Sequence, residues 1–147
     1  MDSIIDFKSL LKALDYFSFD WPRQRFFKPS EFFLSPTADR LCIDNFPVDS
    51  SVYKNLGDIV YYVLVPVRIR LNQPIIITSG YRSPKLNKAV NGAERSYHIF
   101  GRAVDIYSSN LDALEKAIKV VNNSNLEFHK PVLKEFIRHK TYIHIAL

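Results

Sequence analysis

Apolar residues recur at helical spacing in three stretches of the chain, and each stretch predicts a helix with one buried face. The first, residues 4–14, follows Ser3, a residue suited to an N-cap. The second begins at Ser51 and is long, although Pro66 must kink it or mark its weak last turns. The third follows Asn110 as its N-cap. The apolar positions of the second and third helices are Val52, Leu56, Ile59, Val60, Val63, Leu64 and Val67, and Leu111, Leu114, Ile118 and Val121.

Short apolar runs between turn-forming residues predict two strands. One spans residues 75–78 and closes in a Ser-Gly turn, and the other spans residues 102–106. The stretch from residue 17 to residue 47 is rich in aromatic residues and prolines, which prevent long regular elements. Within it, "KPSEFFLS" predicts one short helix capped by Ser30.

The end of the chain, "VLKEFIRHKTYIHIAL", predicts two strands joined by a hairpin connection at residues 138–141. This pairing places Glu135 directly opposite His144, and directly opposed residues of an antiparallel pair share one face. Phe136 and Ile143 then face the other way, into the core. The hairpin therefore predicts a carboxylate beside an imidazole.

The composition indicates an ordinary globular protein. Of 147 residues, 47% are hydrophobic and 24% are charged, which excludes a disordered tail or a fibre. We expect a single domain over residues 1–147, with residues 1–27 as a helical extension packed on it. Cys42, interpreted as a small buried residue, is the only cysteine, so an intramolecular disulfide and a four-thiolate metal site are both excluded.

The charge of the chain favours a polyanionic environment, since the net charge is +5 and the pI is near 9.3. Nucleic acid, a membrane surface and an acidic cell-wall polymer all fit. The basic residues are scattered and match no recognised nucleic-acid motif, so we expect no nucleic-acid partner. No run approaches the roughly 20 apolar residues of a membrane span. Charged residues interrupt the apolar N-terminus without a cleavage site, so we expect no signal peptide and synthesis in the cytoplasm.

Without a thiolate cluster, any metal must be held by histidines and carboxylates. His98 and Asp105 flank a segment in which Gly101 permits a tight turn, so their side chains can converge on one point. His144 from the terminal hairpin completes a set of three ligands, the number that catalytic zinc takes while a fourth position stays open. A zinc ion with an open position activates water, and Glu135 is the best placed carboxylate to accept the proton.

These residues also form a family pattern, "SxHxxGxAxD", preceded by "ITSGYRSPKLNKAVNG" and followed by a late "xHI". These three motifs occur in the order in which the D-alanyl-D-alanine carboxypeptidase-like zinc peptidases carry them, and the chain resembles this family. Within the family it resembles a small phage-type member. These peptidoglycan-cleaving enzymes share a core with the hedgehog signalling domain and lysostaphin-type endopeptidases. The resemblance runs from about Lys28 to the C-terminus. It implies an α+β fold, a small and mostly antiparallel sheet with flanking helices, and one zinc ion held by His98, Asp105 and His144. The pattern is filled by Ser96, His98, Gly101, Ala103 and Asp105.

The resemblance implies roles for residues around the metal. Arg82, in "SGYRS", would grip a substrate carboxylate or steady the oxyanion, a task suited to a planar fork of donors. Ser96 would contact the substrate backbone. Tyr81 and Tyr142 are further candidates for substrate binding, Tyr142 because it shares the face of His144.

The general base departs from the common family pattern. Many members carry it three residues before the last histidine, where this chain has Thr141, which cannot serve. Other small members use a glutamate on the preceding strand, and the hairpin pairing independently suggests Glu135 for this role.

Our first hypothesis is a zinc metallopeptidase, endolysin-like, that hydrolyses an amide bond in peptidoglycan stem peptides or cross-links during cell-wall lysis or penetration. We expect a monomer that acts on the wall after release from the cell or as part of a virion. The second hypothesis is a catalytically silent zinc-containing module that binds the wall or serves a structural role, and the missing acid at Thr141 supports it. A third, a basic nucleic-acid-binding domain, depends on charge alone.

Overall fold

Four short strands and several helices form the part of the chain that the computed structural model describes, residues 21–47 and 49–147. The predicted first helix, residues 4–14, lies outside the described residues. The helices are α1 (Pro36–Arg40), α2 (Ser50–Ile59), α3 (Val65–Leu71), α4 (Pro84–Ala89) and α5 (Leu111–Glu127). The strands are β1 (Ile76–Ser79), β2 (Ala103–Tyr107), β3 (Glu135–Arg138) and β4 (Ile143–Ala146).

The strands form one antiparallel sheet in the order β1-β2-β4-β3. This architecture, with helices beside the sheet, confirms the expected α+β class. Strands β1 and β2 are the two predicted from the apolar runs, and each begins one residue later than expected. In the register, Ser79 pairs with Asp105, Asp105 with His144, and His144 with Ile137. One row of four side chains therefore crosses the whole sheet.

The core lies between one face of the sheet and the helices α2, α3 and α5. The predicted apolar positions of these helices supply most of their buried side chains, as the helical periodicity requires. Because side chains alternate along a strand, Asp105 and His144 point to the opposite face. The sheet contributes four fully buried side chains to the core, Val104, Ile106, Ile143 and Ile145.

The terminal hairpin is present, but its predicted register is wrong by two residues. Glu135 pairs with Ala146 instead of His144, and the connection spans residues 139–142. Because side chains alternate with a period of two, this shift leaves every side chain on its predicted face. Glu135 therefore still lies on the face of His144, diagonal to it.

Contacts of the connecting loop explain the shift. The His139 backbone N–H donates to the Tyr142 carbonyl oxygen over 2.9 Å, and the two rings stack with centroids 4.3 Å apart. Arg138 thus belongs to β3, and its guanidinium bonds Asp112 and Glu115 of α5 over 2.9 and 3.0 Å. The contact between Arg138 and α5 joins distant segments, which the hairpin pattern does not reveal.

The long predicted helix consists of α2, a π-helical segment (Val60–Leu64) and α3. Pro66 lies in the first turn of α3, so the helix does not end at it. A proline has no N–H for the carbonyl four residues earlier, here that of Tyr62. Asn125 of α5 donates its side-chain amide to this carbonyl over 2.8 Å. The helix therefore tolerates Pro66 through a contact with another helix.

The helix predicted in "KPSEFFLS" is a single 3₁₀ turn, Pro29–Phe32, and the cap predicted at Ser30 is wrong. Lys28 is the N-cap, and its backbone N–H donates to the side chain of the glutamate three residues on, over 2.6 Å. The proline at the first helical position has a suitable φ and needs no acceptor, so the turn begins there. The burial predicted for Cys42 is also wrong, because it is exposed in a left-handed turn (φ 54°) after α1.

Candidate metal centre

His98 lies in a 3₁₀ turn, Tyr97–Phe100, that its flanking residues shape. The Ser96 hydroxyl accepts a hydrogen bond from the His98 backbone N–H over 3.2 Å, as an N-cap does. Gly101 ends the turn with a left-handed φ of 68°. A Cβ at Gly101 would lie 2.7 Å from the Val52 carbonyl oxygen, which leaves no room for a larger residue. The "SxHxxG" motif therefore determines how His98 is presented.

Both ring nitrogens of His98 have partners, and the residue is 2% exposed. Nδ1 lies 2.7 Å from the Gly80 carbonyl oxygen, which can only accept, so Nδ1 carries the proton. Nε2 lies 3.3 Å from Asp105 Oδ1. The contact with Gly80 thus leaves the lone pair of Nε2 directed to the side of Asp105, as in a histidine held to bind a metal.

Asp105 lies at the centre of the row of side chains and is 6% exposed. Its Oδ1 is 2.8 Å from His144 Nδ1, and its Oδ2 is 3.4 Å from an Arg82 guanidinium nitrogen. Burial raises the pKa of this carboxyl, but the neighbouring His144 and His98 side chains outweigh burial and hold the pKa well below its usual range. Asp105 is therefore a carboxylate at neutral pH.

His144 lies in β4, directly opposite Asp105. While Nδ1 faces Asp105, Nε2 lies 2.6 Å from Glu135 Oε2. The hydrogen bond to Asp105 raises the pKa of His144, and the bond to Glu135 raises it further against the opposing effect of burial. Each nitrogen of this imidazole thus faces a different carboxylate.

The structure brings the three predicted metal ligands together. One ligand atom from each of His98, Asp105 and His144 lies within 4.8 Å of the other two. Two imidazole nitrogens and one carboxylate oxygen are a ligand set that zinc takes in catalytic sites. The residues therefore fit a zinc ion by donor type, separation and the orientation of His98. Zinc binding itself remains a prediction.

Arg82 follows β1 and lies beside this group with its side chain 18% exposed. Its Nε donates to Ser79 Oγ over 3.1 Å, one terminal nitrogen to Asn87 Oδ1 over 3.4 Å, and the other to Asp105. The Arg82 backbone N–H donates to the His98 carbonyl oxygen over 3.1 Å. These contacts hold the guanidinium next to the three predicted ligands, in a position suited to a substrate carboxylate or oxyanion.

Sequence reasoning missed Ser79 and Asn87, which brace Arg82. Asn87 is held in turn, because its amide donates to the Ala93 carbonyl oxygen over 2.8 Å. A Cβ at Gly92 would lie 1.9 Å from Asn87 Oδ1, so the glycine makes room for this side chain. The available signal was the "ITSGYRSPKLNKAVNG" motif, in which Ser79, Asn87 and Gly92 all lie.

The remaining predicted site residues lie in different surroundings. Tyr81 is 5% exposed and packs on Phe33 with ring centroids 5.7 Å apart, an environment that favours a packing role. Ser96 caps the turn of His98. Tyr142 is half-buried in the hairpin loop, stacked on His139, and Thr141 is exposed in the same loop. Substrate contacts of Tyr81, Ser96 and Tyr142 remain predictions.

Two exposed apolar residues lie on the same face of the sheet as the candidate site, and sequence reasoning missed both. Ile137 pairs with His144 and is 47% exposed. Tyr107, two positions after Asp105 in β2, is 38% exposed. The alternation of side chains in a strand was the signal that could have found them. They supply apolar surface beside the predicted ligands.

A family model for peptidase M15 matches residues 26–146 of the chain. The chain belongs to the peptidase M15 family. This membership confirms the resemblance to the D-alanyl-D-alanine carboxypeptidase-like peptidases and makes the protein a peptidase. Among solved structures, this M15 peptidase is similar to the L-Ala D-Glu endopeptidase ChiX of Serratia marcescens, with 20% identity, 67% of this chain and 86% of that chain covered, and a TM-score of 0.39.

A search of curated proteins found no match to this M15 peptidase. Within residues 21–47 and 49–147, no helix is both long enough and apolar enough to cross a membrane. A peptide is the substrate class that membership in this family implies.

Proposed function

We propose that this M15 peptidase holds one zinc ion with His98, Asp105 and His144 and hydrolyses an amide bond in peptidoglycan stem peptides or cross-links. The convergence of these three side chains, with ligand atoms within 4.8 Å of one another, carries the proposal. When bound, zinc would act as a Lewis acid that activates water and polarises the scissile carbonyl. Membership in the M15 family and the net charge of +5, which suits an anionic wall, support the choice of substrate.

Arg82 is the residue that we propose to orient the substrate. Its guanidinium has five N–H donors, and Ser79, Asn87 and Asp105 brace it through three of its nitrogens. A pocket of about 210 Å³ adjoins it, with polar residues such as Thr37 and Thr78 and the apolar Leu86 among its lining residues. A carboxylate or developing oxyanion can thus bond the N–H donors that the braced guanidinium leaves free.

Digestion of purified peptidoglycan, followed by mass spectrometry of the soluble fragments, tests this function. We expect peptide fragments from the wild-type protein, none after a chelator removes the metal, and recovery when zinc is restored. The masses identify the bond that is cut. Fragment release that is unchanged by the chelator would refute the zinc mechanism.

A second candidate is a catalytically silent zinc module that binds the cell wall. The exposed hairpin loop favours it, because Thr141 places no carboxylate at the position where many family members carry the base. The same digestion separates the two functions. Saturable binding to the wall without any release of fragments or amines would support the silent module and exclude the peptidase.

A further inference from the structure

We infer that Glu135 is a positioning residue: it accepts a hydrogen bond from His144 Nε2–H and thereby directs Nδ1 of the same ring at the metal position. The inference rests on the proposed function, because it assumes the ligand set His98, Asp105 and His144. It assigns Glu135 a different task from the base role that the sequence predicts.

The two nitrogens of His144 face different carboxylates. Nδ1 lies on the side of the predicted ligands, 2.8 Å from Asp105 Oδ1, while Nε2 lies 2.6 Å from Glu135 Oε2. A metal-bound imidazole has a lone pair on one nitrogen and a proton on the other. Nδ1 is therefore the ligand atom, and Nε2 carries the proton that Glu135 accepts.

The two predicted histidine ligands are held in comparable ways. His98 donates Nδ1–H to the Gly80 carbonyl oxygen and turns Nε2 to Asp105. His144 has the opposite arrangement, with Nε2 bonded outward and Nδ1 turned to Asp105. In both residues an acceptor behind the ring selects the tautomer and fixes the plane of the ring, which is how proteins prepare histidine ligands. The acceptor behind His144 is Glu135.

The Glu135 carboxylate is directed at the His144 ring. The imidazole of His144 lies between Glu135 Oε2 and Asp105 Oδ1, since each carboxylate bonds a different nitrogen of the ring. A general base must instead lie within hydrogen-bond reach of the proton that it abstracts. Glu135 belongs to a paired strand, diagonal to His144, and the bond of 2.6 Å holds its carboxylate against the ring. This arrangement serves orientation of the ligand.

Zinc affinity separates the two roles. Competition with a fluorescent zinc chelator gives the Kd of the wild type, Glu135→Ala and Glu135→Gln, with circular dichroism to establish that each variant is folded. Loss of such an acceptor typically weakens metal binding about 10- to 100-fold, so Glu135→Ala should show this loss. Glu135→Gln should stay within a few-fold of the wild type, because its amide oxygen still accepts the proton. Glu127→Ala, which removes an exposed carboxylate at the end of α5, is the matched control and should bind as the wild type does.

Turnover on purified peptidoglycan adds a second readout. A positioning role predicts that Glu135→Gln keeps activity within about tenfold of the wild type, whereas loss of a general base costs about 10²- to 10⁴-fold. Zinc affinity of Glu135→Ala equal to that of the wild type would overturn the inference. So would a Glu135→Gln variant with normal affinity and a loss of turnover in that larger range. Wild-type protein that binds no zinc would overturn the inference and the proposed function together.

A third measurement needs no variant, and it keeps the inference testable if Glu135→Ala does not fold. In the zinc-loaded, ¹⁵N-labelled wild type, the His144 imidazole should show a proton on Nε2 and none on Nδ1, with the ¹⁵N shift of a metal-bound nitrogen at Nδ1. Metal bound at Nε2 would overturn the inference and leave the ligand set itself intact.

Discussion

Replacement of Gly101 by alanine should damage both the stability of the protein and its zinc site. Gly101 ends the turn that carries His98, and its φ of 68° lies in the left-handed region. Its backbone N–H donates to the His98 carbonyl oxygen over 3.3 Å. Any movement of this residue is therefore transmitted to the predicted ligand.

The magnitude has two parts. The left-handed conformation costs an alanine about 1–2 kcal/mol. The new Cβ would also lie 2.7 Å from the Val52 carbonyl oxygen and 2.9 Å from a Val52 methyl carbon, and relief of such overpacking costs about 1–3 kcal/mol. The free energy of unfolding should therefore fall by about 2–5 kcal/mol. For a chain of this length the Tm should fall by roughly 4–20 °C.

Thermal and urea unfolding of the metal-free proteins, together with zinc titration, measure this effect. Gly101→Asn is the informative companion variant, because asparagine tolerates the left-handed region better but keeps the Cβ beside Val52. We expect it to lose stability, though less than Gly101→Ala, and both variants to bind zinc more weakly than the wild type. A Gly101→Ala protein within about 0.5 kcal/mol of the wild type and with unchanged zinc affinity would refute this account of the motif.

Four further predictions concern the site and the helix that carries Pro66. His98→Gln should fold but lose zinc binding, measured by elemental analysis after dialysis. Because the pKa of His144 is raised, protons compete with zinc above the ordinary value of 6.5, so zinc affinity should rise with pH through that range in titrations at fixed ionic strength. Arg82→Lys should lower kcat/KM by about 10²- to 10³-fold with unchanged zinc content. Asn125→Ala should cost about 1–3 kcal/mol in urea unfolding, and less in combination with Pro66→Ala, which restores a backbone N–H.

Local patterns predicted the elements of the fold with small errors. Apolar periodicity located α5, and the capping preference of asparagine located its N-cap at Asn110. Apolar periodicity also located the long helix that starts with α2. It did not show that this helix continues through Pro66, because the donor for the Tyr62 carbonyl comes from Asn125 on another helix. The N-cap at Lys28 was missed because the prediction looked for a serine, whose own hydroxyl accepts the hydrogen bond. At Lys28 the backbone N–H donates instead to a glutamate side chain.

The three predicted ligands could be chosen from the sequence because each has a local signal. "SxHxxG" encodes a capped 3₁₀ turn that ends in a left-handed glycine, and Asp105 and His144 are polar residues within short strands of otherwise apolar residues. Ser79 and Asn87 lie in the quoted motif, but the motif does not show that they brace Arg82, since both contacts depend on how the segment after β1 folds back. Alternation could have pointed to Tyr107, but its exposure depends on what packs around it.

By itself the sequence determined the donor types and the face of the sheet on which Glu135, Asp105 and His144 lie. Side chains alternate with a period of two, so even a hairpin register in error by two residues preserves that face. Only the tertiary structure decided that Glu135 faces His144 Nε2 and that Asp105 faces Nδ1. That choice depends on the rotation of one imidazole between two carboxylates from different strands, and hydrogen bonds between distant segments leave no periodic trace along the chain.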